Sequence, residues 1–237
     1  MTRRWVVWVA AGLLALAGLS AGLFRLGRSR TVQLFGRLVP RVETSQRVVA
    51  LTFDDGPAPE TMDEVLAILQ AQQVRATFFV NGANLEQAPE LGRRLVAAGH
   101  ELGNHTYSHP HMVLKSPSFI RAEVERTDEL IRAAGQRGEI LFRPPFCWKL
   151  VGLPWYLSRT GRTTVTWDVE ADGPALGADA SRIASECARA VRPGSIILLH
   201  VWYRSRRPSR TALPVIIDRL HADGYRTVTL RELLEGT

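Results

Sequence analysis

The segment Val48-Val49-Ala50-Leu51-Thr52-Phe53-Asp54-Asp55-Gly56-Pro57 runs an apolar strand pattern straight into two adjacent acids and a turn. Two carboxylates at the mouth of a buried strand are costly unless a metal, a base or a reaction needs them. Regular strand geometry sends successive side chains to opposite faces. Gly56-Pro57 ends the strand at once, however, and a chain leaving its pleat can aim both acids into one crevice. Taken alone, Asp-Asp-Gly more often describes a turn whose Asp side chains bond nearby amides, so the weight falls on what lies downstream.

In Asn104-His105-Thr106-Tyr107-Ser108-His109-Pro110 two histidines stand four apart. That spacing predicts both imidazoles on one side of a helical turn, presented to a single metal, although two exposed polar histidines would read the same way. Joined to an upstream carboxylate they make two nitrogen ligands and one oxygen ligand, leaving positions open for water and substrate. His111 breaks the spacing and reads as a loop residue. Leu141-Phe142-Arg143-Pro144-Pro145-Phe146 sets an arginine on a stiff Pro-Pro turn. Its permanent charge and planar fork would keep a neighbouring buried carboxylate ionised, as a general base must be. Gly194-Ser195-Ile196-Ile197-Leu198-Leu199-His200 is an apolar strand ending in a histidine. Most such histidines are packing or rim residues; with an acid beside it, this one becomes a proton donor near neutral pH.

These groups need elements to carry them. Strand patterns fall at Val48–Phe53, Ala76–Asn81, Leu141–Arg143, Thr163–Val169, Ser195–His200 and Arg226–Leu230. Amphipathic stretches alternate with them at Glu60–Gln72, Ala88–Ala98, Ser118–Ala134, Ala180–Val191 and Leu213–Ala222. Alternation of this kind predicts parallel strands with crossover helices, an architecture whose functional groups gather at the carboxyl ends of the strands. Asp54, Asp55, Arg143 and His200 all stand at such ends.

The chain has 237 residues and a formal charge of +7. Lys115 and Lys149 are its two lysines, so the excess is almost all arginine. The arginines are scattered, which argues against a nucleic-acid arm and for an anionic membrane face or cell-wall polymer. Trp5 to Phe24 is uncharged over 20 positions, about the length that crosses a bilayer. Residues 1–24 are therefore expected to be a membrane anchor, 25–47 a basic linker and 48–237 the catalytic domain. Cleavage at Ala15-Leu16-Ala17 would instead release a secreted protein. The apolar run continues well past that site, which favours the anchor. Arginines on both flanks leave the positive-inside rule undecided, and the outward orientation is argued from function. Cys147 and Cys187 support no pairing on their own.

From Val48 to about Leu234 the chain resembles the polysaccharide deacetylases, carbohydrate esterase family four. Thr52-Phe53-Asp54-Asp55-Gly56-Pro57, His105-Thr106-Tyr107-Ser108-His109, Arg143-Pro144-Pro145-Phe146 and Leu198-Leu199-His200 resemble its motifs, in order. The resemblance implies an α/β fold, a distorted (β/α) barrel of about seven parallel strands. It also implies that Asp55, His105 and His109 hold a divalent metal, zinc foremost, with cobalt and other divalent ions also fitting. Asp54 would be the general base, oriented by Arg143, and His200 the general acid. The oxyanion would meet the metal and the backbone N–H near Phe146.

The family's fourth motif ends in Asp-Trp, where this chain has Trp167-Asp168-Val169-Glu170-Ala171-Asp172-Gly173-Pro174. Asp172 is the expected partner of His200, with Glu170 and Asp168 as alternatives. Pro145, Phe146, Trp148, Leu198 and Trp202 would bind substrate; Trp148 and Trp202 could stack on a sugar ring or simply pack. The expected activity is removal of acetyl groups from an N-acetylated or O-acetylated glycan, with peptidoglycan or an N-acetylglucosamine polymer foremost. Two alternatives are a glycan-binding protein that has lost turnover and an acetyl-xylan or small-molecule amide hydrolase.

Overall fold

In the computed structural model, which describes residues 2–173 and 179–236, strands and helices alternate along the chain. The long helix α1 (Thr2–Gly27) comes first, then β1 (Leu38–Val39), β2 (Val48–Gly56), α2 (Pro59–Ala71), β3 (Thr77–Val80), α3 (Gly82–Gln87), α4 (Pro89–Ala97) and β4 (Glu101–Asn104). Next follow α5 (Pro117–Ala133), α6 (Gly152–Arg159), β5 (Thr164–Val165), β6 (Val169–Glu170) and α7 (Ala180–Ala190). The chain closes with β7 (Ile196–Leu199), α8 (Arg207–Ala222), β8 (Arg226–Val228) and α9 (Leu230–Glu235). Pro174, the last residue of the acidic stretch, lies outside the described residues.

Every strand ladder is parallel. The main sheet runs β4-β3-β2-β7-β6 with β8 beside the first half of β2, and β1 pairs with β5. Parallel bridges Asn104–Phe142 and Phe142–Thr164 join the two ladders, and Arg41 bridges back to Ser195. Among the described residues this is a six-stranded sheet extended by a two-stranded ladder, rather than seven regular barrel strands. Leu141–Arg143 contributes only the bridge at Phe142, and the expected Thr163–Val169 strand divides into β5 and β6. Strand β4 escaped the pattern because Glu-Leu-Gly-Asn has a single apolar side chain to signal it.

Strand β2 is the keel. Val49, Leu51 and Phe53 pack with Met62, Val65 and Leu69 of α2, while Val48 and Ala50 pack with Phe79, Ile196 and Leu198. Burial on both faces explains its unbroken apolar run, as in other parallel sheets. Leu51 is fully buried, and truncating such a side chain to alanine costs about 2–5 kcal/mol. Helix α5 starts where the Ser116 hydroxyl accepts the Phe119 N–H, and it turns Ile120, Val124 and Ile131 inward at helical spacing.

The stretch 25–47 is not a linker. Thr164 N–H donates to the Arg37 carbonyl, Thr166 N–H to Val39, and Val42 N–H to Gly194. The Thr166 hydroxyl donates to the Arg30 carbonyl at 2.6 Å. Two consecutive apolar residues, Leu38 and Val39, are too few to announce a strand, and the pairing is supplied by residues more than a hundred positions away. Helix α1 contains Val7–Gly27, a span of 21 residues whose most apolar stretch has mean hydropathy 2.0 and is not buried, while Gly27 at its end is. By length and composition it can cross a membrane.

Candidate active site

Asp54 and Asp55 reach the same cavity because β2 breaks its pleat. Its pairing with β3 shifts register between Phe53 and Gly56, and Asp55 stands in the left-handed region at φ 72°. Asp and Asn tolerate that region better than most residues. Gly56 must lack a side chain, since a Cβ there would lie 2.0 Å from the Trp202 indole nitrogen.

Below Asp54 sits Arg143, fully buried. Its Nη1 donates to Asp54 Oδ1 at 2.7 Å and to the Thr52 hydroxyl at 2.9 Å, while Nη2 donates to the Thr166 carbonyl at 3.0 Å. The guanidinium also lies 4.0 Å from the Phe79 ring centroid. Burial pulls the Arg143 pKa down, and the charge and hydrogen bond of Asp54 push back. The carboxylate thereby has one oxygen fixed and the other, Oδ2, turned toward His105 at 3.8 Å.

His105 and His109 meet Asp55 as the spacing predicts, but not on a helix. Thr106 and His109 have φ of 68° and 57°. Side chains take over the local hydrogen bonds: Thr106 N–H donates to Asn104 Oδ1, and His109 N–H donates to Thr106 Oγ1. Such bonds compete directly with a helical turn. His105 Nδ1 lies 2.8 Å from the Arg143 carbonyl, which fixes the ring and leaves Nε2 facing the cavity. His105 Nε2 and His109 Nε2 are 3.2 Å apart, and they lie 3.5 and 3.0 Å from Asp55 Oδ1. Ligands about 2.0–2.1 Å from a tetrahedral zinc stand roughly 3.3 Å from one another, so this donor set fits one divalent ion. Burial raises the Asp55 pKa, but the two histidines outweigh it and hold the carboxyl below its usual range.

Across the cavity, His200 Nδ1 lies 3.1 Å from Asp172 Oδ1, and His200 N–H donates to Asp172 Oδ2 at 2.8 Å. The Ser209 hydroxyl donates to that same oxygen at 2.7 Å. Burial disfavours the charged imidazole, yet the Asp172 hydrogen bond and charge, then Asp54 and Asp55, raise the His200 pKa above its ordinary value. Of the three candidate acids only Asp172 touches His200. Asp168 holds the Ser195 hydroxyl and the Ile196 N–H, and Glu170 accepts from Trp167 Nε1.

The cavity has a volume of about 660 Å³ and is lined by Asp54, Asp55, His105, His109, Asp172 and His200, with Phe146 and Leu198 on its walls. Phe146 is half exposed, at φ 54°. Pro145 is buried beneath the surface. Trp148 stands outside the lining and packs edge-on against Phe24, at 5.0 Å between centroids. Trp202 is in the core, tilted against Phe78 at 5.5 Å, and offers no face to a sugar. The pattern placed it beside His200, but the backbone turn after β7 sends it inward.

Several residues of the cavity had no sequence signal. Trp167 and Arg206 line it, and Tyr203 donates its hydroxyl to the Asp55 carbonyl at 3.1 Å. So do Phe24, Arg25, Arg28 and Arg30, whose positions in the sequence indicate only the end of an apolar helix. Cys147 and Cys187 are both free and buried. Burial pushes the Cys187 thiol up to about 12.

A family model for polysaccharide deacetylase matches residues 41–165. A chitooligosaccharide deacetylase of Bradyrhizobium sp. is 36% identical over 200 residues, 79% of this chain and 90% of that protein. A peptidoglycan-N-acetylglucosamine deacetylase of Bacillus cereus is 33% identical over 189 residues, 79% of this chain and 68% of its own length. The solved Bc1960 peptidoglycan N-acetylglucosamine deacetylase superimposes with a TM-score of 0.78 at 30% identity, over 84% of this chain and 93% of that one. With its parallel α/β fold and its paired acids and histidines at the strand ends, the chain belongs to the polysaccharide deacetylase family.

Proposed function

We propose that the chain hydrolyses the acetamide of an N-acetylated glycan, using Asp54 as base and His200 as acid on opposite sides of the scissile bond. The observation that carries this reading is the arrangement of two separately fixed proton carriers around one ligand set. Arg143 fixes Asp54 at 2.7 Å, Asp172 fixes His200 at 3.1 Å, and Asp55, His105 and His109 stand between them in one cavity. A divalent ion on those three donors, zinc foremost, would supply Lewis-acid activation of a water and of the acetyl carbonyl.

Asp54 Oδ2 takes a proton from the attacking water as its oxygen bonds to the acetyl carbon. Arg143, bonded to Oδ1 at 2.7 Å, keeps that carboxylate aimed until it does so. His200 enters the reaction protonated, a state favoured by Asp172, and delivers its Nε2 proton to the sugar nitrogen as the carbon–nitrogen bond breaks. Acetate and a free amine leave. Asp172 and Arg143 are positioning residues. Phe146 and Leu198 form apolar walls against which a sugar ring could rest. Helix α1 would anchor the protein, with the catalytic domain on the outer side of the membrane where acetylated glycans are found.

The test is acetate release by the full chain in detergent from N-acetylglucosamine oligomers, peptidoglycan and acetyl-xylan. Each is assayed with and without chelator, with zinc or cobalt restored. Release that a chelator abolishes and metal restores is the expected result. Glycan retention without any release by metal-loaded, folded protein would instead favour a binding protein.

A further inference from the structure

The end of α1 forms part of the cavity wall. Phe24, Arg25, Arg28 and Arg30 line the same space as Asp54 and His200. The contact is built into the fold: Lys149 N–H donates to the Gly27 carbonyl at 2.8 Å, and Lys149 Nζ donates to the Ser29 carbonyl. The Arg28 guanidinium lies 5.6 Å from the Trp148 ring centroid and 5.7 Å from that of Phe24. Phe24 to Arg28 is one helical turn, a rise of about 6 Å. If α1 is the anchor, the cavity therefore opens at the level of lipid headgroups. The segment leaving α1 agrees, since Val32, Leu34 and Phe35 are 52%, 47% and 41% exposed next to it, as in chains that seat themselves in a bilayer interface.

Charge completes the picture. Arg30 has a partner, Glu170, at 3.7 Å. Among the described residues no carboxylate stands within ion-pair distance of Arg25 or Arg28, and both are exposed. Two guanidinium forks without a carboxylate partner beside a sugar-sized cavity match phosphate oxygens better than a neutral polymer. A polymer of the outer wall would also have to descend to the membrane to enter, whereas a lipid-borne sugar is already there.

We infer that the cavity takes the acetylated sugar of a membrane lipid whose sugar is joined through phosphate, with Arg25 and Arg28 on the phosphate and the lipid leaving along α1. This rests on the deacetylase reading above and names its substrate class.

The experiment uses the full chain in phosphatidylcholine nanodiscs, with metal present. Three substrates are compared: N-acetylglucosaminyl diphosphate undecaprenol, water-soluble uridine diphosphate N-acetylglucosamine, and neutral tetra-N-acetylchitotetraose. The expected result is a kcat/KM at least about tenfold higher for the lipid-linked sugar than for the other two, as hydrogen bonds to charged groups allow. In an Arg25→Gln/Arg28→Gln double variant the ratio of lipid-linked to chitotetraose efficiency falls by about tenfold. An Arg93→Gln variant, changed at an exposed site on α4, keeps the ratio. Thermal melting checks that the double variant is folded. Independently of any variant, undecaprenyl phosphate should inhibit chitotetraose turnover by the unaltered protein competitively.

Equal efficiency on the uridine diphosphate sugar would overturn the lipid half of the inference and leave a phosphate site. A ratio unmoved by the double variant would mean that the arginines only hold the anchor against headgroups. Preference for chitotetraose would overturn the inference while the deacetylase reading stands; no acetate from any substrate would sink both.

Discussion

Asp54 and Glu101 are carboxylates buried at opposite ends of the same parallel sheet, 3% and 5% exposed. Asp54 stands at the carboxyl end of β2, where Arg143 gives it a full counter-charge at 2.7 Å. Glu101 opens β4 at the other end. It accepts from the Thr77 hydroxyl at 2.7 Å and the Arg231 N–H at 3.1 Å, and its Oε1 has no hydrogen-bond partner among the described residues. There burial dominates, and the Glu101 pKa rises above the usual range. His100 beside it is pushed the same way, toward neutrality: burial, then the charge of Arg75, lowers its pKa to about 4. One end of the sheet holds charges in place and the other suppresses them. The difference lies in how close the counter-charge comes. The loop after the Phe142 bridge to β4 brings Arg143 to 2.7 Å from Asp54, whereas Arg231 of α9, which closes the amino end, stands 3.7 Å from Glu101 and does not offset its burial.

The sharpest way to break this contrast is Asp54→Asn. It should lower kcat by about a hundred- to ten-thousandfold, read by acetate release, with a smaller loss of stability from the uncompensated Arg143 charge, read by thermal melting. A loss of stability matching the loss of activity would make Asp54 another structural carboxylate.

Asp172→Asn should cost less, roughly tenfold or more in kcat, and should move the pH profile. As the proposed acid, His200 would have to be protonated, and its raised pKa keeps it so past the ordinary histidine range. The alkaline limb of kcat therefore lies above that range. Removing the Asp172 charge brings it to lower pH. A limb that stays in place would mean that another group carries the proton.

At the suppressed end the expected effect is on stability alone. His100 has a folded pKa of about 4 against a reference of 6.5. Between those values the unfolded chain binds the proton and the folded chain does not. Stability therefore falls as pH drops from 6.5 toward 4, by at most roughly 3 kcal/mol at about 1.4 kcal/mol per unit. Urea unfolding across that window should show the slope in the native chain and lose most of it in His100→Gln.

The smallest effect belongs to Glu101→Gln. A raised carboxyl pKa means that the ionised form is disfavoured in the fold, so its stability contribution is lost as pH rises past the unfolded carboxyl pKa. The neutral isostere should be unchanged or up to about 1 kcal/mol more stable at pH 7, with kcat unaltered. A loss of several kcal/mol would show that Glu101 functions as an ion-paired charge, like Asp54.

The chemistry-bearing end was legible in the sequence because its residues sit in short local motifs. Asp54 and Asp55 follow an apolar run, His105 and His109 stand four apart, and Arg143 and His200 close strand patterns. Local order predicted their convergence through the rule that strand ends gather function. The same local reading placed Trp202 against substrate and cast 25–47 as a linker, and both differ in the structure. Trp202 turns inward because the backbone turns after β7 and Gly56, lacking a side chain, leaves the space its indole occupies. Leu38 and Val39 become a strand because Thr164 and Val165 are there to pair with them.

Residue types and spacing by themselves determined the parallel α/β class, the apolar N-terminal helix and the set of acids and histidines, since these depend on near-neighbour chemistry and hydrophobic period. Only the tertiary structure decided that Asp172, rather than Glu170 or Asp168, meets His200, and that His105 and His109 are presented by a side-chain-bonded loop instead of a helix. It alone also brought Arg25 and Arg28 to the cavity. Each of those outcomes depends on contacts between residues far apart in the chain, and no local period encodes a partner that distant.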